Sequence, residues 1–293
     1  MRILVSGSSG LIGTALCRSL RDSGHTVVRI VRRPVQGDSE VYWDGVGLLD
    51  PRLIEGADAF VHLSGRNIAD KRWNKKFKQE LEQSRVDTTR RVVDAFAKCA
   101  NPPKVFLSAS AVGFYGSRGD EILTESAAAG TGFFPDLCEK WERASKGINA
   151  RHCVMRFGVV LSPEGGAIKK MITPFRLGLG GELGSGKQVM PWVSIVDAVR
   201  AIEFLLTNES ASGPVNITAP NPVANSEFTR ALAQAVHRPA IFPMPAAVAR
   251  LAFGEMADEA LLASARVVPE KLKSLGFKFR HETIDAALKE LLG

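Results

Sequence analysis

The residues with the most legible chemistry open the chain. Gly7-Ser8-Ser9-Gly10-Leu11-Ile12-Gly13 follows the apolar run Ile3-Leu4-Val5 and leads into a stretch of helical spacing. Glycines here serve three needs of a phosphate-binding turn. One permits the tight reversal, one lets backbone approach a diphosphate, and one lets helix pack close to strand. The free N–H groups and the helix dipole then stabilise the anion, with Gly7, Ser9, Gly10, Leu11, Ile12 and Gly13 as the expected contacts. Glycine spacing alone is a weak signal; strand before and helix after are what the motif requires.

The end of the next strand indicates which dinucleotide. An NAD site places an acid there, roughly 20 residues past the loop, on the ribose hydroxyls. Here Val27-Val28-Arg29-Ile30-Val31 runs into Arg32-Arg33-Pro34, without an acid. Arginines at that point would clamp a 2′-phosphate with charge-assisted hydrogen bonds, so NADP(H) is the expected cofactor.

Other chemistries lack their residues. There is no Gly-x-Ser-x-Gly elbow, no His-Glu-x-x-His and no Walker lysine motif. The histidines at 25, 62, 152, 237 and 281 are isolated, so no metal site is expected. Cys17, Cys99, Cys138 and Cys153 form no CxxC pair, which fits a reducing, cytoplasmic setting.

Several elements must position these groups. Strands are expected at Arg2–Ser6, Val27–Val31, Ala59–His62, Lys104–Ser108, Cys153–Val160 and Pro214–Thr218. Helices are expected at Leu11–Ser23, Trp73–Cys99, Pro135–Asn149, Asp197–Thr207 and Ser226–Val236, the last with Ser226 as N-cap. Alternating strands and helices imply right-handed crossovers and a doubly wound parallel α/β sheet, a Rossmann arrangement. After about residue 162 the pattern loosens, and the last 50 or so residues read as a smaller helical lobe. The expected division is 1–164 plus about 187–219 for the dinucleotide-binding domain, and about 165–186 plus 220–293 for the substrate lobe.

Composition bounds the rest. The chain has 293 residues, is 45% hydrophobic and 24% charged, and carries a formal net charge of +7, ordinary globular values. No apolar run reaches the length of a membrane span, and none resembles a signal peptide. Between Lys71 and Arg91 eight basic residues oppose three acids, contributing +5 of the +7. Trp73 and Phe77 interleave with these charges, but helical spacing reads the segment as a solvated helix face, not a nucleic-acid surface.

Taken in order, these segments resemble the extended short-chain dehydrogenase/reductase superfamily, which includes nucleotide-sugar epimerases and dehydratases. Gly7-x-x-Gly10-x-x-Gly13 is similar to its cofactor loop, and Asp58-Ala-Phe-Val-His62-Leu63-Ser64-Gly65 to its third-strand signature. Leu107-Ser108-Ala109-Ser110 with Tyr115-Gly116 resembles the segment that holds the catalytic serine; Arg156–Val160 and Trp192–Asp197 match later motifs. The likeness spans about residues 1–237. Trp43-Asp44, Arg72-Trp73-Asn74, Lys140-Trp141-Glu142, Pro174–Gly181 and the tail from Phe242-Pro243-Met244-Pro245 resemble the atypical "epimerase family protein" branch. That resemblance implies NADP(H) contacts from Arg32, Glu80, Arg85 and the Val159 turn, with Arg85 replacing a superfamily asparagine. It also implies cofactor roles for His62, Leu63, Ser64, Gly65 and Ser108, beside the Arg33 expected from the end of the second strand. Homodimers of such proteins form through flanking helices, here 73–99 and 135–149.

One part of the resemblance fails. Superfamily catalysis uses a Tyr-x-x-x-Lys pair, in which the lysine lowers the tyrosine pKa and the tyrosine moves the proton. Tyr42 is followed four residues on by Val46 and Tyr115 by Gly119, so no such pair exists. Aligning Glu142 with the glutamate that follows the pair puts Phe134 and Cys138 in the two catalytic places. Ser110 and Tyr115 remain as candidate catalytic residues. Two readings stand: an NADP(H)-dependent oxidoreductase or epimerase-like enzyme acting on a small polar substrate, or a catalytically silent NADP(H)-binding protein that reports redox state to a partner.

Overall fold

The computed structural model describes residues 1–293. The first half of the chain runs β1 (Arg2–Ser6), α1 (Leu11–Asp22), β2 (Thr26–Val31), β3 (Glu40–Tyr42), α2 (Pro51–Ile54), β4 (Ala59–His62), α3 (Lys75–Glu82), α4 (Thr88–Lys98), β5 (Val105–Ala111), β6 (Ile122–Leu123) and α5 (Phe133–Ala144). Next come β7 (Arg151–Phe157), β8 (Val159–Ser162), α6 (Gly166–Arg176), β9 (Val189–Met190), β10 (Trp192–Ser194), α7 (Ile195–Thr207) and β11 (Gly213–Ile217). The chain ends with β12 (Val223–Ala224), α8 (Asn225–Ala235), α9 (Ala246–Phe253), β13 (Arg266–Val267), α10 (Glu270–Ser274) and α11 (Ile284–Leu292).

Two compact units form. The first comprises Met1–Ser110, Leu137–Met155 and Val199–Val215. The second comprises Ala111–Asp136, Arg156–Ala198 and Asn216–Gly293.

In the first unit the sheet order is β11-β7-β5-β4-β1-β2-β3, with β1–β2, β1–β4, β2–β3 and β4–β5 all paired in parallel. Ile3, Leu4, Val5, Ala59, Phe60 and Val61 are all buried, as expected of strands covered on both faces. On α1 the buried residues Gly13, Leu16, Cys17 and Leu20 recur at helical spacing and seat it on the sheet. Phe60, Phe96 and Phe106 pack mutually, with centroids 5.3–6.0 Å apart. The strand order reverses between β1 and β4, where an α/β sheet opens to ligands.

Three local expectations change. The segment 73–99 is not one regular helix: α3 and α4 are joined by a π turn, Gln83–Asp87, whose wider ring 3.6-residue spacing cannot reveal. The strand expected at 153–160 breaks at Gly158. A side chain there would press within 2.8 Å of the Pro191 carbonyl oxygen, and β8 leaves to pair with β10. Ser226 does not cap α8, which starts one residue earlier, and Asn225 uses its side chain to accept from the Leu183 N–H at 2.7 Å.

The second unit gathers α6, α8 and α11 around Ile168, Phe175, Trp192, Phe228, Leu232 and Leu288. Buried Asp197 accepts the N–H groups of Arg280 and His281 at 2.9 and 2.8 Å, tying the C-terminal segment to the start of α7.

Candidate functional site

The turn after β1 is built for close approach. Gly7 has φ +68°, a left-handed value that favours glycine, and a Cβ on it would lie 2.6 Å from the Leu63 carbonyl. A Cβ on Gly13 would overlap the Gly7 carbonyl oxygen. The Gly10 N–H donates to Gly7 O at 3.0 Å, and α1 then starts without any acidic side chain in its first turn. Ser9 and Gly10 are exposed, Leu11 and Ile12 half-buried. On the other side the Leu63 N–H donates to Ser6 O at 3.1 Å, which holds Leu63, Ser64 and Gly65 alongside the turn.

The two arginines after β2 have separate fates. Arg33 forms a fork with Glu40, at 2.9 and 2.6 Å, and those hydrogen bonds hold the Glu40 carboxyl below its usual range. Arg33, expected on the cofactor, is thus committed to β3. Arg32 is exposed and makes no protein hydrogen bond or ion pair.

Arg85 points inward from the π turn. It donates to the carbonyls of Arg66 and Leu81 at 2.8 and 3.3 Å and lies 5.1 Å over the Trp141 ring. Burial pushes its pKa down to about 10, and its Nε is enclosed without a partner. A Cβ on Gly65 would meet it at 3.4 Å, so the third-strand signature and Arg85 share one spot. Glu80 pairs with Arg66 at 2.5 Å, leaving it a neutralised rim residue. His62 accepts or donates a 2.6 Å hydrogen bond with Ser6 Oγ, and enclosure lowers its pKa to about 4. It is therefore a neutral side chain at pH 7, with its Nε2 enclosed without a partner.

Along β5 the hydroxyls are engaged. Ser108 meets His152 Nε2 at 2.8 Å, and burial lowers the His152 pKa to about 4. Ser110 donates to Glu142 Oε1 at 2.7 Å. Glu142 lies eight residues past Phe134, on the α5 face that also holds Cys138. That spacing was the signal available in the sequence; no signal there pointed to His152.

Tyr115 lies in the interior of the second unit. It is fully buried, donates to Asn216 Oδ1 at 2.7 Å and accepts from Arg156 at 2.9 Å. Arg156 also stacks 3.6 Å over Phe114. Burial raises the Tyr115 pKa against the lowering effect of Arg156 beside it. Phe134 occupies the tyrosine place with its ring against Gly113, where a Cβ would come within 2.5 Å, and Cys138 is fully buried. Val159 opens β8 with its N–H bound to Pro191 O at 2.8 Å.

Comparison with known proteins gives the family. Residues 3–218 match the NAD dependent epimerase/dehydratase family and residues 244–291 match DUF1731, a domain of unknown function. An epimerase family protein of Mycobacterium tuberculosis is 45% identical, covering 98% of this chain and 96% of its own. The crystal structure of human epimerase family protein SDR39U1 (isoform 2) with NADPH superposes with TM-score 0.93 at 36% identity, covering 100% of this chain and 99% of that one. A nucleoside-diphosphate sugar epimerase from Corynebacterium glutamicum gives TM-score 0.84 at 33% identity, covering 100% of this chain and 58% of that one. The cofactor expected from Arg32 is the one present in the human structure. With most of its sheet-forming sequence matched and relatives aligned end to end, the chain belongs to the NAD dependent epimerase/dehydratase family, in the branch of epimerase family proteins with a DUF1731 tail.

Proposed function

We propose that the chain binds NADP(H) at the turn after β1 and uses it for oxidoreduction of a small polar substrate of the nucleotide-sugar or carbonyl class. The observation that carries this reading is Arg32: an unpaired guanidinium at the end of β2, where an NAD site would hold an acid. The residues present fit the dinucleotide. The occluded Cβ positions at Gly7 and Gly13 leave the backbone bare, and α1 directs its unpaired N–H groups toward a diphosphate. Arg85 lines the side formed by Leu63, Ser64 and Gly65.

The bound nicotinamide supplies or accepts a hydride. Ser110 and Glu142 then handle the proton in place of the absent tyrosine and lysine. With Glu142 ionised, the Ser110 proton is directed to the carboxylate and its oxygen accepts from a substrate hydroxyl. With Glu142 protonated, the pair gives the proton back to a carbonyl. The second reading, an NADP(H)-binding protein without turnover, is favoured by Phe134 and Cys138, neither of which moves a proton in this role.

The four cysteines are free, which supports a reducing compartment, and a cytoplasmic setting is part of this proposal. No helix is long and apolar enough to cross a membrane. Titration with NADPH, followed by its oxidation across a panel of carbonyls and nucleotide sugars, tests both readings. Tight binding with turnover supports the enzyme; tight binding without turnover supports the silent protein; failure to bind NADPH removes both.

A further inference from the structure

We infer that a cleft between α1 and β2, in the first unit, binds a phosphate-bearing anion such as a pyrophosphate or phosphate ester, apart from the turn after β1. The cleft measures about 290 Å³, and Thr14, Arg18, Arg21, Asp22 and Arg29 line it together with buried Cys17. Three guanidiniums therefore share one small space with a single carboxylate. Thr14, Arg18 and Arg21 recur at helical spacing on α1, and Arg29 comes from the neighbouring strand. Burial raises the Cys17 pKa, and Arg21 and Arg29 both pull it part of the way back, so these two cations stand near one thiol.

Little of this charge is neutralised within the chain. Arg18, Arg21 and Asp22 are exposed and form no ion pair, although Arg18 and Asp22 stand one helical turn apart. Glu40 is held by Arg33 at 2.6 Å and reaches Arg29 only at 3.4 Å. The Arg29 Nε is enclosed without an acceptor, so this side chain gains a hydrogen bond by turning toward an anion. Thr14 spends its hydroxyl on a long 3.5 Å contact with Ser8 O and is free to turn the same way. Guanidinium forks match the oxygens of a phosphate, and three of them against one acid favour a multiply charged anion over a single carboxylate.

The cleft is distinct from the glycine turn. Arg21 lies in the last turn of α1, which begins at Leu11, and so stands about 15 Å along the axis from the helix start. At that end the helix dipole opposes an anion instead of holding it. Side-chain charge alone would bind the ligand here, the reverse of the turn after β1, where bare backbone N–H groups face the diphosphate. The inference therefore does not rest on the dinucleotide reading.

Thermal unfolding of the full chain in millimolar pyrophosphate at fixed ionic strength, with and without saturating NADPH, tests this directly. The expected result is a midpoint that rises with pyrophosphate in both conditions. Arg21→Gln and Arg29→Gln should each weaken the apparent pyrophosphate affinity about tenfold, as for loss of one hydrogen bond between charged groups. Arg21 is exposed, so circular dichroism of its variant should be unchanged; Arg18→Gln is the second check should Arg29→Gln misfold. NADPH affinity should be unaltered in Arg18→Gln and Arg21→Gln. Absence of a shift overturns the inference, and so does a shift that NADPH abolishes, which would place the anion at the glycine turn. An equal shift from citrate, or one that survives all three arginine substitutions, overturns it too. Should the chain fail to bind NADPH, the cofactor reading falls while the arginine variants still decide this one.

Discussion

At the turn after β1, each position with a role in binding a diphosphate holds a residue able to serve it. Gly7 and Gly13 are free of side chains where neither could be tolerated, and α1 begins without an opposing acid. On α5 the reverse holds. Phe134 packs on Gly113 and Cys138 is sealed in the interior, where the superfamily mechanism needs a phenol and an amine. The two regions belong to one fold, so the fold alone does not require the second set of residues. Helix α5 keeps its place through burial of Leu137, Cys138 and Trp141, whatever chemistry its face carries. Positioning a dinucleotide and moving a proton are separable demands, and this chain meets the first with backbone geometry, while the second is assigned to Ser110 and Glu142 only by the proposal above.

Substitutions can break that contrast, beginning with the largest effect. Gly13→Val places a side chain into the Gly7 carbonyl oxygen. It should abolish NADPH binding by fluorescence titration and lower the thermal midpoint; retained affinity would show that the turn is not the phosphate site.

Acid should act next, on the sheet rather than the turn. His62 and His152 have folded pKa values of about 4, below the unfolded 6.5, so both are held neutral. Between those values the unfolded chain binds the more protons. The stability that these two groups contribute is present above pH 6.5 and is lost as pH falls toward 4. Urea denaturation at pH 7 and pH 5 should differ by about 2–4 kcal/mol. Replacing His152 with Asn should flatten that slope; a pH-independent midpoint in the parent protein would contradict the assignment.

Arg32→Asp sharpens the comparison at the cofactor. Losing a charge-assisted contact and adding a like charge should weaken NADPH by about 100-fold and change NADH little. Arg33→Ala, whose target forms an ion pair with Glu40, should cost much less than tenfold. Equal losses in the two variants would return Arg33 to the cofactor. The smallest effect is expected from Tyr115→Phe. Removing the hydroxyl leaves Asn216 and Arg156 short of a partner in the interior, a loss of about 1–3 kcal/mol in stability without change in NADPH affinity. A loss of turnover with unaltered stability would instead make Tyr115 a reacting group.

Much was legible in order and type. The glycine spacing, the missing acid after β2 and the absent Tyr-x-x-x-Lys are all local facts of composition, and each describes a group whose chemistry is set by residue identity. Strand and helix alternation likewise follows from apolar runs bounded by glycine and proline. What remained hidden depended on who stands next to whom. Nothing in Arg32-Arg33 says that one arginine forks onto Glu40 while its neighbour stays free, because that choice is made when β3 pairs with β2. Nothing in the 3.6-residue rhythm shows the π turn that swings Arg85 inward, because one extra residue per turn shifts a side chain without altering its spacing in sequence. Tyr115 looked available and is enclosed, since burial is a property of the packed unit and not of the residue. Sequence determined which groups exist and which strand or helix carries them; tertiary structure decided which hydrogen bonds, charges and apolar faces are already spent, because desolvation and pairing arise only when distant segments meet.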